Sequence, residues 1–281
     1  MSDVTTFVYS RWRPQNVKRI LATGSSAFVG EIDDYTVLKY PLAQRDENRA
    51  LERQSRIEME ARLEIESKIL DVVCPHPRIV QKVNYSPEGL YLQRGVNGTV
   101  ADYLLESGTG KPPPSVQQRL SWCREAAEAI SYIHSRRVLH CDIQPTNLLL
   151  DKDLHIKLTD FQGKLLNADG TVDLFGGSGE PTRFCAPRDD PFDANIETEL
   201  FALGCTIYFI MLSHAVYPDI IDGSTGWDER VRERFAKQEF PQDSHACSKV
   251  TAKCWLRQYN SAEEVVQEIA AIERLNASGS C

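Results

Sequence analysis

Hydrophobic and polar residues alternate over short stretches in the first ninety residues, a spacing typical of β-strands. In the segment RILATGSSAFVGEIDDYTVLKYP, we expect strands that break at Gly24 and Gly30, with a hairpin turn at Asp33 and Asp34. Pro41 ends the last of these strands, and the segments QKVNYS and LYLQR predict two more. This end of the chain is therefore expected to be rich in strands.

Apolar residues recur at helical spacing from about Asp46 to Val73, inside a highly charged stretch that predicts one long amphipathic helix. Beyond the linker at 93–98 the pattern becomes mainly helical. Ser115 suits the N-cap of a helix that runs to about Ser135. The segment FALGCTIYFIMLS is apolar on nearly all sides, which predicts a helix buried inside a lobe.

This order of elements predicts an α+β fold with two lobes in a single domain that spans residues 1–281. The small N-lobe is rich in strands, contains the long helix and covers about 19–95. The larger, mainly helical C-lobe covers about 96–275. No internal repeat interrupts this order.

The composition limits the classes of partner and compartment. A formal net charge of −8 argues against nucleic acid and against an anionic membrane as partners. The chain has eight cysteines but no C-x-x-C pair, so we expect reduced and mostly buried thiols in a cytoplasmic protein. It contains neither a signal-peptide pattern nor an apolar run of transmembrane length.

Candidate chemistry concentrates in the segment HCDIQPTNLLL, residues 140–150, and in IKLTDFQG, which ends at residue 163. Asp142 precedes Asn147 by five positions, and Asp160 follows the next predicted strand. Phosphoryl transfer uses this layout: the first carboxylate accepts the proton of an attacking hydroxyl, while the amide and the second carboxylate hold Mg²⁺. We expect Asp142, Gln144 and Asn147 to form the catalytic loop, with Asn147 and Asp160 as metal ligands.

With these motifs, and with HPRIV, the chain resembles eukaryotic-type protein kinases, most nearly the small fungal kinase-like proteins with a divergent catalytic loop. The resemblance covers about 19–275. It implies a bilobal kinase fold, ATP and Mg²⁺ as cofactors and a protein as substrate.

The resemblance also implies a nucleotide site in the N-lobe. Lys39 takes the position of the lysine that binds the phosphates, and the HPRIV alignment makes Glu66 its partner, with Glu60 and Glu64 as competitors. Gly24 begins the Gly-rich loop, in which Ser26 and Val29 replace the later glycines. Phe28, at the tip of this loop, either covers the phosphates or packs into the lobe.

The linker is the remaining part of this expected nucleotide site. The resemblance places Leu92 behind the adenine. Gln93, Arg94 and Gly95 then form the linker, whose backbone can bond an adenine edge.

Several positions depart from the pattern of the family. Gln144 replaces a lysine that neutralises the transferring phosphoryl group, a loss that costs on the order of 10²–10³ in rate. Gln162 replaces the glycine of Asp-Phe-Gly, and Arg188 replaces the glutamate of Ala-Pro-Glu, which normally forms a buried ion pair. Cys141 replaces an arginine that pairs with a phosphorylated loop, and Glu199 replaces an aspartate that anchors the catalytic loop.

Three functions remain open from the sequence. The first is an active protein serine/threonine kinase. The second is a pseudokinase that binds nucleotide weakly or not at all and serves as a scaffold. The third is a small-molecule phosphotransferase, because antibiotic and choline kinases share H-x-D-x-x-x-x-N. HPRIV, the Ala-Pro pair and FALG favour the protein-kinase branch over the third.

Overall fold

The computed structural model describes residues 13–42, 50–106 and 112–278. Its first part is a five-stranded antiparallel sheet in the order β1-β2-β3-β5-β4. The strands are β1 (Arg19–Thr23), β2 (Ala27–Glu31), β3 (Thr36–Pro41), β4 (Lys82–Ser86) and β5 (Gly89–Gln93). The strand-rich first part of the chain, with its two later strands at QKVNYS and LYLQR, and the α+β class are confirmed.

One predicted strand break is wrong. Gly30 lies inside β2 and pairs with Leu38 of β3. A Cβ atom at Gly30 would stand 2.5 Å from Cγ1 of Val17, which packs across the sheet. Gly30 is therefore explained by close packing rather than by a turn. The turn at Asp33 is confirmed, because its Oδ1 accepts the backbone N–H groups of Tyr35 and Thr36.

Helix α1 (Ala50–Val73) joins β3 to β4, and the predicted start of this helix near Asp46 lies outside the described residues. Its buried side chains are mostly apolar and face the sheet, among them Leu63, Ile69 and Leu70. Glu66 lies on the same buried face. A buried charge on an otherwise apolar face needs a partner, so this position marks a site rather than a packing surface.

The C-lobe is built on helices. They are α2 (Val100–Leu105), α3 (Val116–Ser135), α4 (Ile196–Leu212), α5 (Trp227–Ala236), α6 (Ser248–Trp255) and α7 (Ala262–Ser278). Ser115 caps α3 as predicted, with its Oγ accepting the N–H of Gln118 at 3.1 Å. Helix α4 is buried along nearly its whole length, which confirms the buried helix expected from its apolar sequence. Helices α5 and α6 were not predicted.

Five short strands lie between α3 and α4, and the catalytic motifs occupy the loops between them. They are β6 (Val138–Leu139), β7 (Leu148–Leu150), β8 (Ile156–Leu158), β9 (Lys164–Leu166) and β10 (Val172–Phe175). Strands β7 and β8 form a hairpin, while β9 lies between β6 and β10. This arrangement places the loop at 140–147 beside the loop at 159–163, so the two sequence motifs form one site.

The two lobes share one continuous hydrophobic core. Val37 and Leu92 of the sheet and Ile69 of α1 belong to the same cluster as Leu148 and Phe161 of the catalytic motifs. The cysteines within the described residues are all free, and most are buried, as expected. In this part of the chain, no helix is both long and apolar enough to cross a membrane.

Candidate active site

Lys39 of β3 is the centre of the N-lobe side of the site. Its Nζ lies 2.7 Å from Oε2 of Glu66 and 2.6 Å from Oδ1 of Asp160. The competing acids have other partners: Glu60 pairs with Arg56, and Glu64 pairs with Lys68. The structure therefore brings the expected lysine, helix glutamate and metal-binding aspartate together through one ammonium group.

Burial and charge act in opposite directions on this trio. Burial by itself would lower the pKa of Lys39, but Asp160 and Glu66 outweigh it and the pKa is raised. Burial would also raise the pKa of Asp160, yet the Lys39 ammonium holds it below its usual value. For Glu66 burial dominates and raises the pKa, although Lys39 opposes it. The lysine thus stays charged, as a phosphate-binding cation must.

The catalytic loop is organised around Asp142. Asn147 donates from Nδ2 to the backbone oxygen of Asp142 and to its Oδ2, at 2.8 Å each. Gln144 donates from Nε2 to the other carboxylate oxygen, Oδ1, at 2.6 Å. Both carboxylate oxygens of Asp142 are therefore oriented by neutral amides. One of these amides belongs to Gln144, which departs from the family pattern.

Asp142 and Asp160 belong to one electrostatic environment. Burial raises the pKa of Asp142, and the charge of Asp160 raises it further against the opposing effect of His140. A raised pKa makes a carboxylate a better proton acceptor than an exposed aspartate. Asp142 is thus suited to act as a base, and Asp160 is close enough to affect it.

Buried aromatic packing supports both loops. His140 is fully buried and its Nε2 lies 2.8 Å from the backbone oxygen of Thr159. Its ring meets the buried ring of Phe161 edge-on, with 5.2 Å between the centroids. His140 therefore has a structural role, because it joins the two loops through a hydrogen bond and a ring contact.

Glu199 of α4 anchors the backbone of the catalytic loop. Its Oε1 accepts the backbone N–H of Cys141 at 2.6 Å, and its Oε2 lies 2.6 Å from Nε2 of His134. Cys141 has a left-handed backbone (φ 62°), which costs free energy for a residue with a side chain. The bond from Glu199 stabilises this conformation, so the longer carboxylate keeps the anchoring role expected at this position.

The turn between β1 and β2 is shorter than the Gly-rich loop that the family resemblance implies. Gly24 and Ser26 lie in the turn between β1 and β2, where the N–H of Gly24 donates to the oxygen of Ala27 at 2.8 Å. Val29 lies inside β2, opposite Lys39, and is not part of the loop. Phe28 is also in β2 and packs beside Tyr40, with ring centroids 5.5 Å apart. Of the two roles expected for Phe28, packing is the one observed.

The linker joins the sheet to the catalytic-loop hairpin. Leu92 is buried in β5 and pairs with Val37, while Gln93 pairs with Thr36 at the end of the strand. A Cβ atom at Gly95 would lie only 2.8 Å from Cβ of Leu149 in β7. Glycine at 95 therefore allows the linker to pack against the strand that follows Asn147.

The oxygen donors in the site fit Mg²⁺. The amide nitrogen of Asn147 is used by Asp142, which leaves its carbonyl oxygen as the atom that can bind a metal. The side chain of Asp160 is 36% exposed and adds a carboxylate. Mg²⁺ prefers such oxygen ligands and completes its coordination with phosphates and water. Among the described residues, no three His, Cys, Asp or Glu side chains could hold a metal by themselves. Asn147 and Asp160 are the residues that would hold the ion, with nucleotide phosphates as further oxygen ligands.

Two contacts of the site were missed by the sequence reasoning. Arg188 forms a buried ion pair with Glu180. Gln162 donates from Nε2 to Oε2 of Glu66 at 3.0 Å. Both residues had been identified only as departures from the family pattern. The partner of Gln162 lies in a distant helix, and the segment that joins Glu180 to Arg188 is neither helix nor strand, so no local sequence signal marked either contact.

Comparison with known proteins agrees with this geometry. The family described as "Protein kinase domain" matches residues 48–268, which is more than half of the chain. A two-lobed α+β fold with a lysine, a helix glutamate and two catalytic-loop motifs defines this class of protein. The chain belongs to the protein kinase family.

Three curated relatives show the level of similarity. The human protein "Serine/threonine-protein kinase 10" is 28% identical over 194 residues, which cover 64% of this chain and 20% of the relative. "Serine/threonine protein kinase OSK3" from Oryza sativa subsp. indica is 28% identical over 211 residues, 73% of this chain and 39% of the relative. "3-phosphoinositide-dependent protein kinase 1" from Arabidopsis thaliana is 26% identical over 169 residues, 57% of this chain and 34% of the relative.

The matches thus span between about a fifth and two fifths of these relatives' lengths. They support the protein-kinase branch rather than a small-molecule phosphotransferase. The fungal affinity expected from the catalytic loop stays a prediction.

Proposed function

We propose that the chain is an active ATP-dependent protein kinase that transfers the γ-phosphoryl group to a serine or threonine hydroxyl of a protein substrate. The observation that carries this proposal is the contact of one ammonium group, Lys39 Nζ, with both Glu66 and Asp160. It joins the helix, the sheet and the metal-binding loop in one arrangement. Phosphoryl transfer depends mainly on such positioning and on charge stabilisation.

Each residue then has a defined task. Lys39 binds the phosphates, and Asp142 accepts the proton of the attacking hydroxyl. Asn147 and Asp160 hold Mg²⁺, which supplies positive charge to the phosphates when it is bound. The human and rice relatives are named as serine/threonine kinases, which supports the choice of acceptor hydroxyl.

A specific observation favours a second candidate, a pseudokinase scaffold. Gln144 and Asn147 cover both oxygens of Asp142 with neutral amides, and Gln144 brings no positive charge to the transferring phosphoryl group. An uncharged donor gives weaker transition-state stabilisation than lysine. The two candidates therefore differ in the rate of phosphate transfer and not in the fold.

The test is phosphorylation of a mixed peptide library by the purified protein with ATP and Mg²⁺, read by mass spectrometry. The matched control is Asp142→Asn, which keeps the size of the side chain and removes the base. Phosphoserine and phosphothreonine formed by the wild type alone would support the proposal. Equal labelling by both proteins would remove Asp142 from its role, and no labelling by either would favour the scaffold.

A further inference from the structure

Gln162 makes a contact that a glycine at this position could not make. Its Nε2 donates to Oε2 of Glu66 at 3.0 Å, and the same oxygen accepts from Lys39 Nζ at 2.7 Å. Glu66 is completely buried and Gln162 is only 6% exposed. The amide is thus a second donor to the carboxylate that holds the lysine, away from competing water.

The backbone of Gln162 is held on both sides. Its N–H donates to the oxygen of Asp160 at 2.9 Å, and its oxygen accepts the N–H of Ser178 at 3.1 Å. A Cβ atom at Gly176 would lie 2.5 Å from the oxygen of Gln162, so glycine at 176 permits this close return of the chain. The side chain of Gln162 therefore extends to α1 from a fixed main chain.

A second residue of α1, Arg62, lies near the end of the segment 160–178. The guanidinium of Arg62, one turn before Glu66 on α1, lies 3.5 Å from the position that a Cβ atom at Gly177 would take. The start of this segment is therefore bonded to α1, and its end lies close to the same helix. Unlike a contact through a phosphorylated residue, the bond from Gln162 uses an unmodified side chain.

The chemistry of the amide suits this position. A carboxylate at 162 would repel Glu66, and a cation would compete with Lys39 for the same oxygen. A neutral donor strengthens the ionised form of Glu66 without displacing the lysine. Glutamine is also long enough to bridge the two elements.

We propose that Gln162 is a positioning residue of the nucleotide site, which holds Glu66 and, through it, Lys39 in place for the phosphates. The inference rests on the proposed function for its effect on nucleotide, while the contact itself exists without nucleotide. It assigns to this departure from the family pattern a stabilising role in the site.

The test compares Gln162→Met, which keeps the length and removes the donor, with Gln267→Met as control. Gln267 makes a similar glutamine–glutamate bond, to Glu263 at 3.3 Å, on an exposed helix. Gln162→Met is expected to raise the KM for ATP about tenfold, the scale of one hydrogen bond to a charged group. The kcat at saturating ATP should stay within about threefold, because bound phosphates then hold Lys39.

Loss of folded protein alone would lower the apparent kcat and leave KM unchanged, and that pattern would overturn the inference. If the wild-type protein uses ATP and Gln162→Met has the same KM and kcat, the inference about Gln162 is overturned while the proposed function stays intact.

A second measurement needs no nucleotide. A double-mutant cycle with Gln162→Met and Glu66→Gln, followed by urea unfolding, should show coupling of about fivefold or more in the unfolding constant. If the two substitutions change the free energy of unfolding independently, the inference about Gln162 is overturned. If the wild-type protein binds no ATP but residues 162 and 66 are energetically coupled, the proposed function fails, while the stabilising contact of Gln162 with Glu66 is supported.

Discussion

Arg188 forms an ion pair with Glu180, eight residues earlier, and the two side chains are 9% and 1% exposed. Arg188 also donates from Nε to the backbone oxygens of Asp190 and Pro191. The sequence suggested that an arginine here would reverse the charge of a buried pair. Arg188 has a buried acidic partner in Glu180, so its charge is compensated and is not by itself a sign of lost function.

Restoring the glutamate of the family at this position is therefore predicted to harm the protein. Arg188→Glu places a second acid beside the buried Glu180, and breaking a buried ion pair costs about 3–5 kcal/mol. Urea denaturation should show a loss of that size or more in the free energy of unfolding. The exchanged pair E180R/R188E should recover part of it, whereas a stable Arg188→Glu protein would contradict the pairing.

Under the proposed kinase activity, Gln144 is predicted to limit the rate of phosphate transfer. Gln144 already lies 2.6 Å from Oδ1 of Asp142, so a lysine there would bring a positive charge into the transfer site. Gln144→Lys should raise kcat/KM for phosphate transfer by about 10–100-fold, less than the full value of a preorganised contact.

The matched control for this prediction is the double variant D142N/Q144K, which should show no gain because the base is absent. No gain in Gln144→Lys alone would mean that another residue supplies the charge or that the lysine does not reach the phosphoryl group.

Glu199 is predicted to require its full length. It holds the N–H of Cys141 and the ring of His134, at 2.6 Å each. Glu199→Asp, although it restores the residue of the family, shortens the arm and should lose one of these contacts. The expected cost is about 1–3 kcal/mol in stability, with a fall in kcat, measured by urea unfolding and by phosphate transfer. Wild-type stability and wild-type kcat in Glu199→Asp would show that the catalytic loop does not depend on the length of the Glu199 side chain.

The sequence predicted those parts of the site in which spacing and local pattern carry the information. Asp142, Asn147 and Asp160 are close in the chain, and the two motifs fix their order. Glu66 was singled out by alignment with HPRIV, and its burial on an apolar helix face agrees with that choice. The long helix and the strands followed from periodicity, because each buries one face against the shared core.

Contacts between distant segments could not be predicted in this way. Gln162 and Glu66 are 96 residues apart, and their bond depends on how α1 packs against the loop at 159–163. Phe28 was placed at a tip because the register of the hairpin was not known, and only the strand pairing shows that it packs. Helices α5 and α6 are short, so their periodicity gave little signal.

The central claim is that Lys39, Glu66 and Asp160 form an assembled site for ATP and Mg²⁺. The melting temperature of the purified protein with ATP, with and without Mg²⁺, tests it most directly. A ligand at 100 times its Kd adds about 2.7 kcal/mol to stability, which corresponds to a rise of roughly 5 °C for a domain of this size. We expect a rise that requires Mg²⁺ and is lost in Asp160→Ala. No rise at millimolar ATP would contradict the claim.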